Sequence, residues 1–193
     1  MFLVAFVALA LVSVPLTGGR LGALAQVRFR GAGLLAGSLA VQVLIISFVT
    51  GGPSWLHPAL HLATYVAALA FLAANFAIPG LRTVALGGLA NFVVIAVNGG
   101  VMPASRSALV DAGRGQTQNA FDNSGVVHQA RLRFLGDVFA MPAWMPLHNV
   151  FSVGDVLIGL GVAIAVHSLC DTHIARGLRA IVRHGRREVV HAG

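Results

Sequence analysis

The chain has no lysine, one cysteine and only six acidic residues among 193. Each scarcity excludes something. A lone Cys170 rules out an intrachain disulfide, and no CxxC or Cys/His finger spacing is present. Charged residues make up 10% of the chain, against roughly a quarter in an ordinary globular protein. What replaces them is apolar: 57% of the residues are hydrophobic, too many for a soluble domain of this size to bury. The 13 basic residues are all arginine and give a net charge of +7. They flank apolar runs without the interleaved aromatics of a nucleic-acid groove, so no nucleic-acid partner is expected. Anionic lipid headgroups are the expected partner.

The uncharged runs set the fold class. Met1 to Gly19 is 19 residues without charge, enough for one ~30 Å crossing at ~1.5 Å per residue. It has no basic leader and no AxA-like cleavage site, so it reads as a retained helix. Between Arg30 and Arg82 lie 51 residues without an acid or base, about 77 Å if helical and therefore two crossings. The break is expected at Gly51-Gly52-Pro53-Ser54. The sequence thus predicts an all-α, polytopic transmembrane bundle, residues 1–175, with spans at about 1–19, 32–50, 57–78, 83–102 and 151–170. An outer loop covers 103–150 and a basic cytoplasmic tail 176–193.

Arginine placement predicts the orientation, because basic residues in short loops are retained in the cytoplasm. Arg20, Arg28, Arg30, Arg82, Arg176, Arg179, Arg183, Arg186 and Arg187 fall on one side. Arg106, Arg114, Arg131 and Arg133 fall on the other, all in the long loop. A multi-pass protein of a bacterial cell (inner) membrane is expected, with its N-terminus out and its C-terminus in. Between Arg176 and Arg187, Leu178, Ile181 and Val182 recur at near-helical spacing, which predicts an amphipathic helix lying on anionic headgroups.

Asp137 and Asp155 are the candidate catalytic residues. Two carboxylates brought together cannot both ionise cheaply, so one can activate water while the other protonates the scissile group. The competing reading is local. Ser152-x-x-Asp155 opens an apolar run as a capping box does, with the acid facing the positive end of the helix dipole, and Asp137 can pair with Arg131 or Arg133. Asn98, Arg106, Asn149 and Ser152 are candidate substrate-binding residues. Arg106 can clamp a phosphate or carboxylate or meet lipid headgroups, while Asn98 and Asn149 can equally be helix-end and turn residues.

Residues 135–142, Leu-Gly-Asp-Val-Phe-Ala-Met-Pro, followed by Phe151-Ser152-Val153-Gly154-Asp155-Val156-Leu157, resemble the C-terminal part of lipoprotein signal peptidase (signal peptidase II). That resemblance implies an aspartyl hydrolase with Asp137 and Asp155 at the dyad positions and Phe151 at the motif phenylalanine. Its substrate would be a membrane-anchored peptide at the outer face. Ser152 replaces the family's asparagine, Gly154 replaces its alanine, and its GNxxDR motif has no equivalent here. A wider resemblance rests on Gly18-Gly19-Arg20-Leu21, Arg28-Phe29-Arg30-Gly31, Asn98-Gly99-Gly100-Val101-Met102-Pro103, Leu135-Gly136-Asp137 and Ser152-Val153-Gly154-Asp155-Val156-Leu157. Together these are similar to a family of bacterial five-helix membrane proteins with a domain of unknown function, which implies a fold and no reaction.

No metal or cofactor is expected. His57 and His61 have i, i+4 spacing, but Pro58 stands where HExxH places its glutamate. His167, Cys170, Asp171 and His173 read as polar residues at a helix end. The alternative to a hydrolase is a non-catalytic membrane subunit or scaffold with structural aspartates. A transporter is disfavoured by the lack of ionisable residues in the span interiors.

Overall fold

The computed structural model describes residues 2–48, 55–114, 124–125 and 129–191. The chain is mostly helical: α1 (Phe2–Leu16), α2 (Ala32–Phe48), α3 (Leu56–Ala74), α4 (Leu81–Val97), α5 (Arg106–Asp111), α6 (Val153–Leu169) and α7 (His173–His191). A 3-10 turn, Leu21–Gln26, follows α1. Among the described residues, strands are two-residue pieces of the long loop, β1 (Met102–Pro103) beside β2 (Ser124–Gly125) and β3 (Phe139–Ala140) beside β4 (Val150–Phe151), with an isolated bridge between Ala104 and Asp137. The expected break at 51–54 lies outside the described residues.

Contacts arrange the long helices in a row, α2 against α3, α3 against α4, α4 against α6 and α6 against α1. Glycine sets the closest approach. A Cβ on Gly87 would run into the Gly154 carbonyl, and one on Gly161 would lie 2.7 Å from the Gly80 carbonyl and 2.6 Å from the Val84 nitrogen. Pairing 87 with 154 and 80 with 161 makes α4 and α6 antiparallel, and glycines seven apart on each helix keep both contacts on one face. α1 runs parallel to α6: Phe2 stacks on Phe151 at 4.2 Å, Phe6 lies over Gly159, and Val14 packs with Val166 and Cys170.

The chain therefore passes back and forth between two ends. One end gathers the finish of α1, α3 and α6 and the start of α4, with Arg20, Arg28, Arg30, Arg82 and the α6–α7 turn; the other carries the 103–150 loop. At the first end, Arg20 N–H donates to the Cys170 carbonyl at 3.1 Å and His173 N–H to that of Thr17 at 2.9 Å. His167 bridges Ser13 (3.1 Å) and Thr172 (3.1 Å), and Arg179 pairs with Asp171.

Helices end earlier than the hydropathy suggests, for side-chain reasons. Thr17 Oγ1 turns back onto the Ser13 carbonyl at 2.8 Å. Asn75 takes the Phe71 carbonyl at 2.8 Å, ending α3 at Ala74 where the pattern predicts 78. Asn98, followed by Gly99 and Gly100 at φ +71° and +93°, ends α4 at Val97 in place of 102. Among the described residues no single helix is long and apolar enough to cross a membrane. α6 and α7 together have the length and composition, but a 96° bend separates them.

Candidate functional site

The best-formed polar cluster lies where α4 meets the start of α6. Ser152, fully buried, caps α6 by accepting the Asp155 N–H at 3.0 Å, and Asp155 Oδ2 accepts the Ser152 N–H at 3.1 Å. The capping box expected from Ser152-x-x-Asp155 is formed. Buried Asn91 on α4 completes it: Nδ2 donates to Asp155 Oδ1 at 3.0 Å, and Oδ1 accepts from Ser152 Oγ at 2.9 Å. Gly154 makes room, since a Cβ there would collide with the Asn91 amide. Each Asp155 oxygen thus receives a hydrogen bond from the protein, one of them from a neighbouring helix.

Asp137 sits in the loop above, 5% exposed. Its backbone stitches the loop to the end of α4: Asp137 N–H donates to the Pro103 carbonyl at 2.9 Å, and the Asp137 carbonyl accepts Ser105 N–H at 2.9 Å. Leu135, two residues earlier, packs on Val94, Ile95 and Met102 together with Leu62 and Tyr65. Leu135 and Tyr65 pack on one cluster and Asp155 opens α6 against Asn91 of α4, so the two acids and the chain's one tyrosine belong to the same end of the bundle.

The other candidates separate. Asn98 clasps a peptide unit: Nδ2 donates to the Arg131 carbonyl at 2.9 Å and to that of Val94 at 2.8 Å, while Oδ1 accepts Arg131 N–H at 2.8 Å. Arg106 lines a different cavity, with Ser105, Ser107 and Arg133. Asn149, half-buried, accepts Met141 N–H through its carbonyl at 2.8 Å, and its side-chain oxygen is buried without a hydrogen-bond partner. The His57 side chain lies outside the described residues, and no group of three or more potential metal ligands occurs among those described.

Two functional residues escaped the sequence reading. Asn91 carried no local signal. Asn75 repeats at the opposite end the clasp made by Asn98: Oδ1 accepts Arg30 N–H at 2.9 Å and Nδ2 donates to the Arg30 carbonyl at 2.8 Å. In each case an asparagine just past a helix mimics a strand partner for an arginine of a connecting segment. An Asn directly after an apolar run, with an Arg in a distant loop, is the signal, and only the fold pairs them.

The model of a family of unknown function, DUF5317, covers residues 26–167. No curated protein and no solved structure matches the chain, and nothing found supports the likeness of 135–157 to lipoprotein signal peptidase.

Proposed function

We propose that this chain, which belongs to the DUF5317 family of unknown function, is a multi-pass protein of a bacterial cell membrane, N-terminus out and C-terminus in. In this reading it is a non-catalytic subunit or scaffold, and Asp155 serves the architecture. The observation that carries the membrane reading is the apolar outer surface of the bundle. Leu9, Val12 and Leu16 on α1, Leu39, Val43 and Leu44 on α2, Val66 on α3, Leu86 and Leu89 on α4, and Leu160 and Ile164 on α6 are all exposed. A soluble monomer rarely exposes a contiguous apolar patch beyond a few hundred Å², whereas helices that are apolar on every side suit hydrocarbon. Antiparallel passes joined at two polar ends, one rich in arginine, support the orientation. The bilayer would meet helices of 15 to 19 residues, at the short end of the ~17–25 that span a typical bilayer, so local thinning is part of the reading.

The structural role of Asp155 follows from its bonds. Its Oδ2 holds α6's first turn by accepting the Ser152 N–H, and its Oδ1 ties that turn to α4 through Asn91. A second reading, an aspartyl hydrolase acting on a membrane-anchored peptide, draws on the placement of Asp137 and Asp155 at the same, loop-bearing end of the bundle. One experiment separates the two. Asp137→Asn and Asp155→Asn are expressed in cells lacking the native chain, and membrane peptides are compared by mass spectrometry. The scaffold reading predicts no accumulating precursor and a lower melting temperature in detergent for Asp155→Asn. Precursors accumulating in both variants, with folding intact, would establish the hydrolase instead.

A further inference from the structure

Outside the Asn91–Ser152–Asp155 cluster, residues 103–107, 130, 133, 134 and 138 line an open cleft of about 500 Å³. One wall is Ser105, Arg106 and Ser107; the other includes Arg133 and Phe134. We propose that this cleft binds a phosphate-bearing anion, with the guanidinium groups of Arg106 and Arg133 on its oxygens and the Ser105 and Ser107 hydroxyls completing the ring.

Charge is the first argument. Two arginines, Arg106 and Arg133, line one cleft, and no acidic residue lines it among the described residues. A bound anion is attracted by both positive charges, and the planar donor fork of arginine fits phosphate oxygens two at a time. The hydroxyls add short-range donors: Ser105 Oγ and Ser107 Oγ lie 2.8 Å apart, so each can turn toward a common oxygen.

Preorganisation is the second. The two walls are joined by Asp137 N–H to the Pro103 carbonyl and Ser105 N–H to the Asp137 carbonyl, both 2.9 Å. Gly136 packs so tightly that a Cβ would strike the Pro103 carbonyl. A cleft fixed this way loses little freedom on binding. Phe134, 67% exposed beside Arg133, supplies an apolar rim that would suit the glycerol and upper acyl carbons of a lipid. Free phosphate and a phospholipid headgroup share the chemistry, and the test separates them.

The full-length chain, purified in detergent, is titrated with inorganic phosphate by calorimetry. In parallel it is placed in nanodiscs of phosphatidylglycerol and phosphatidylcholine, and retained lipid is counted by native mass spectrometry. Wild type is expected to bind in at least one arm. The double variant Arg106→Ala/Arg133→Ala should lose about ten-fold or more in affinity through the missing charge-assisted hydrogen bonds, while Arg106→Lys/Arg133→Lys keeps part of it. Both arginines are exposed, so an unchanged melting curve verifies the fold. Preferential retention of phosphatidylglycerol without phosphate binding identifies a headgroup site; phosphate binding without lipid preference identifies a soluble ligand. No binding in either arm, or equal binding by wild type and the alanine variant, overturns the proposal.

Discussion

Asn91 sits where α4 and α6 press together, with its amide held on both sides by Asp155 Oδ1 at 3.0 Å and Ser152 Oγ at 2.9 Å. Removing it leaves the buried Ser152 hydroxyl without an acceptor, which costs about 1–3 kcal/mol in a buried setting. Asn91→Ala should therefore lower the melting temperature in detergent. In a double-mutant cycle with Asp155→Ala, the coupling should be on the order of 1 kcal/mol. A coupling near zero would mean that the two residues are independent. The two end clasps make a second prediction: Asn75→Ala and Asn98→Ala should speed hydrogen exchange at the Arg30 and Arg131 amides, whose acceptors they remove. Unchanged protection at both amides would argue against the clasps. The capping box was legible in the sequence because Ser152 and Asp155 are three residues apart and a helix start has a local grammar. Asn91 was not: its partners lie 61 and 64 positions away, and nothing near residue 91 announces them.

At the scale of elements, glycine decides which helices touch. Gly87 and Gly161 have no room for a side chain against the facing backbone, whereas Gly33 and Gly37 on α2 meet nothing within 4 Å. Gly87→Leu or Gly161→Val should force α4 and α6 apart, so that folded protein is lost from detergent extracts. Gly33→Ala and Gly37→Ala should be tolerated or slightly stabilising, since alanine is the better helix former by about 1 kcal/mol. Size-exclusion profiles of the four variants check this, and equal behaviour would contradict the packing. Composition alone makes Gly33 and Gly37 as conspicuous as Gly161, because a stripe of small residues is visible in the sequence while its partner is not. Helix ends show the same divide. Hydropathy marks where charge stops, but α3 and α4 finish where Asn75 and Asn98 intercept the preceding carbonyls, several residues inside the apolar run.

Taken as a whole, the molecule separates its charges by end more sharply than by chain position. Arg30 and Arg82, 52 residues apart in sequence, lie at the same end, while Arg106, Arg131 and Arg133 lie at the other with the folded loop. The long helices themselves were readable from the uncharged runs, because an apolar stretch of that length is most readily satisfied as a helix. The short strands and tight turns in the described parts of the loop were not, since they depend on backbone bonds between Pro103, Ser105 and Asp137. At the opposite end α7 leaves α6 at a 96° bend with Ile174, Leu178, Ile181 and Val182 exposed, which suits the proposed placement of α7 on a membrane surface. The central claim is that the bundle crosses a bilayer with its loop outside and α7 inside. Site-specific labelling tests it most directly. In a Cys170→Ala background, Asp111→Cys and Ala180→Cys, both at exposed positions, are treated with a membrane-impermeant maleimide in cells whose outer barrier has been made permeable. Asp111→Cys should be labelled while the inner membrane is intact, and Ala180→Cys only after it is lysed. Equal labelling of both before lysis, or release of the chain into the soluble fraction, would contradict the account.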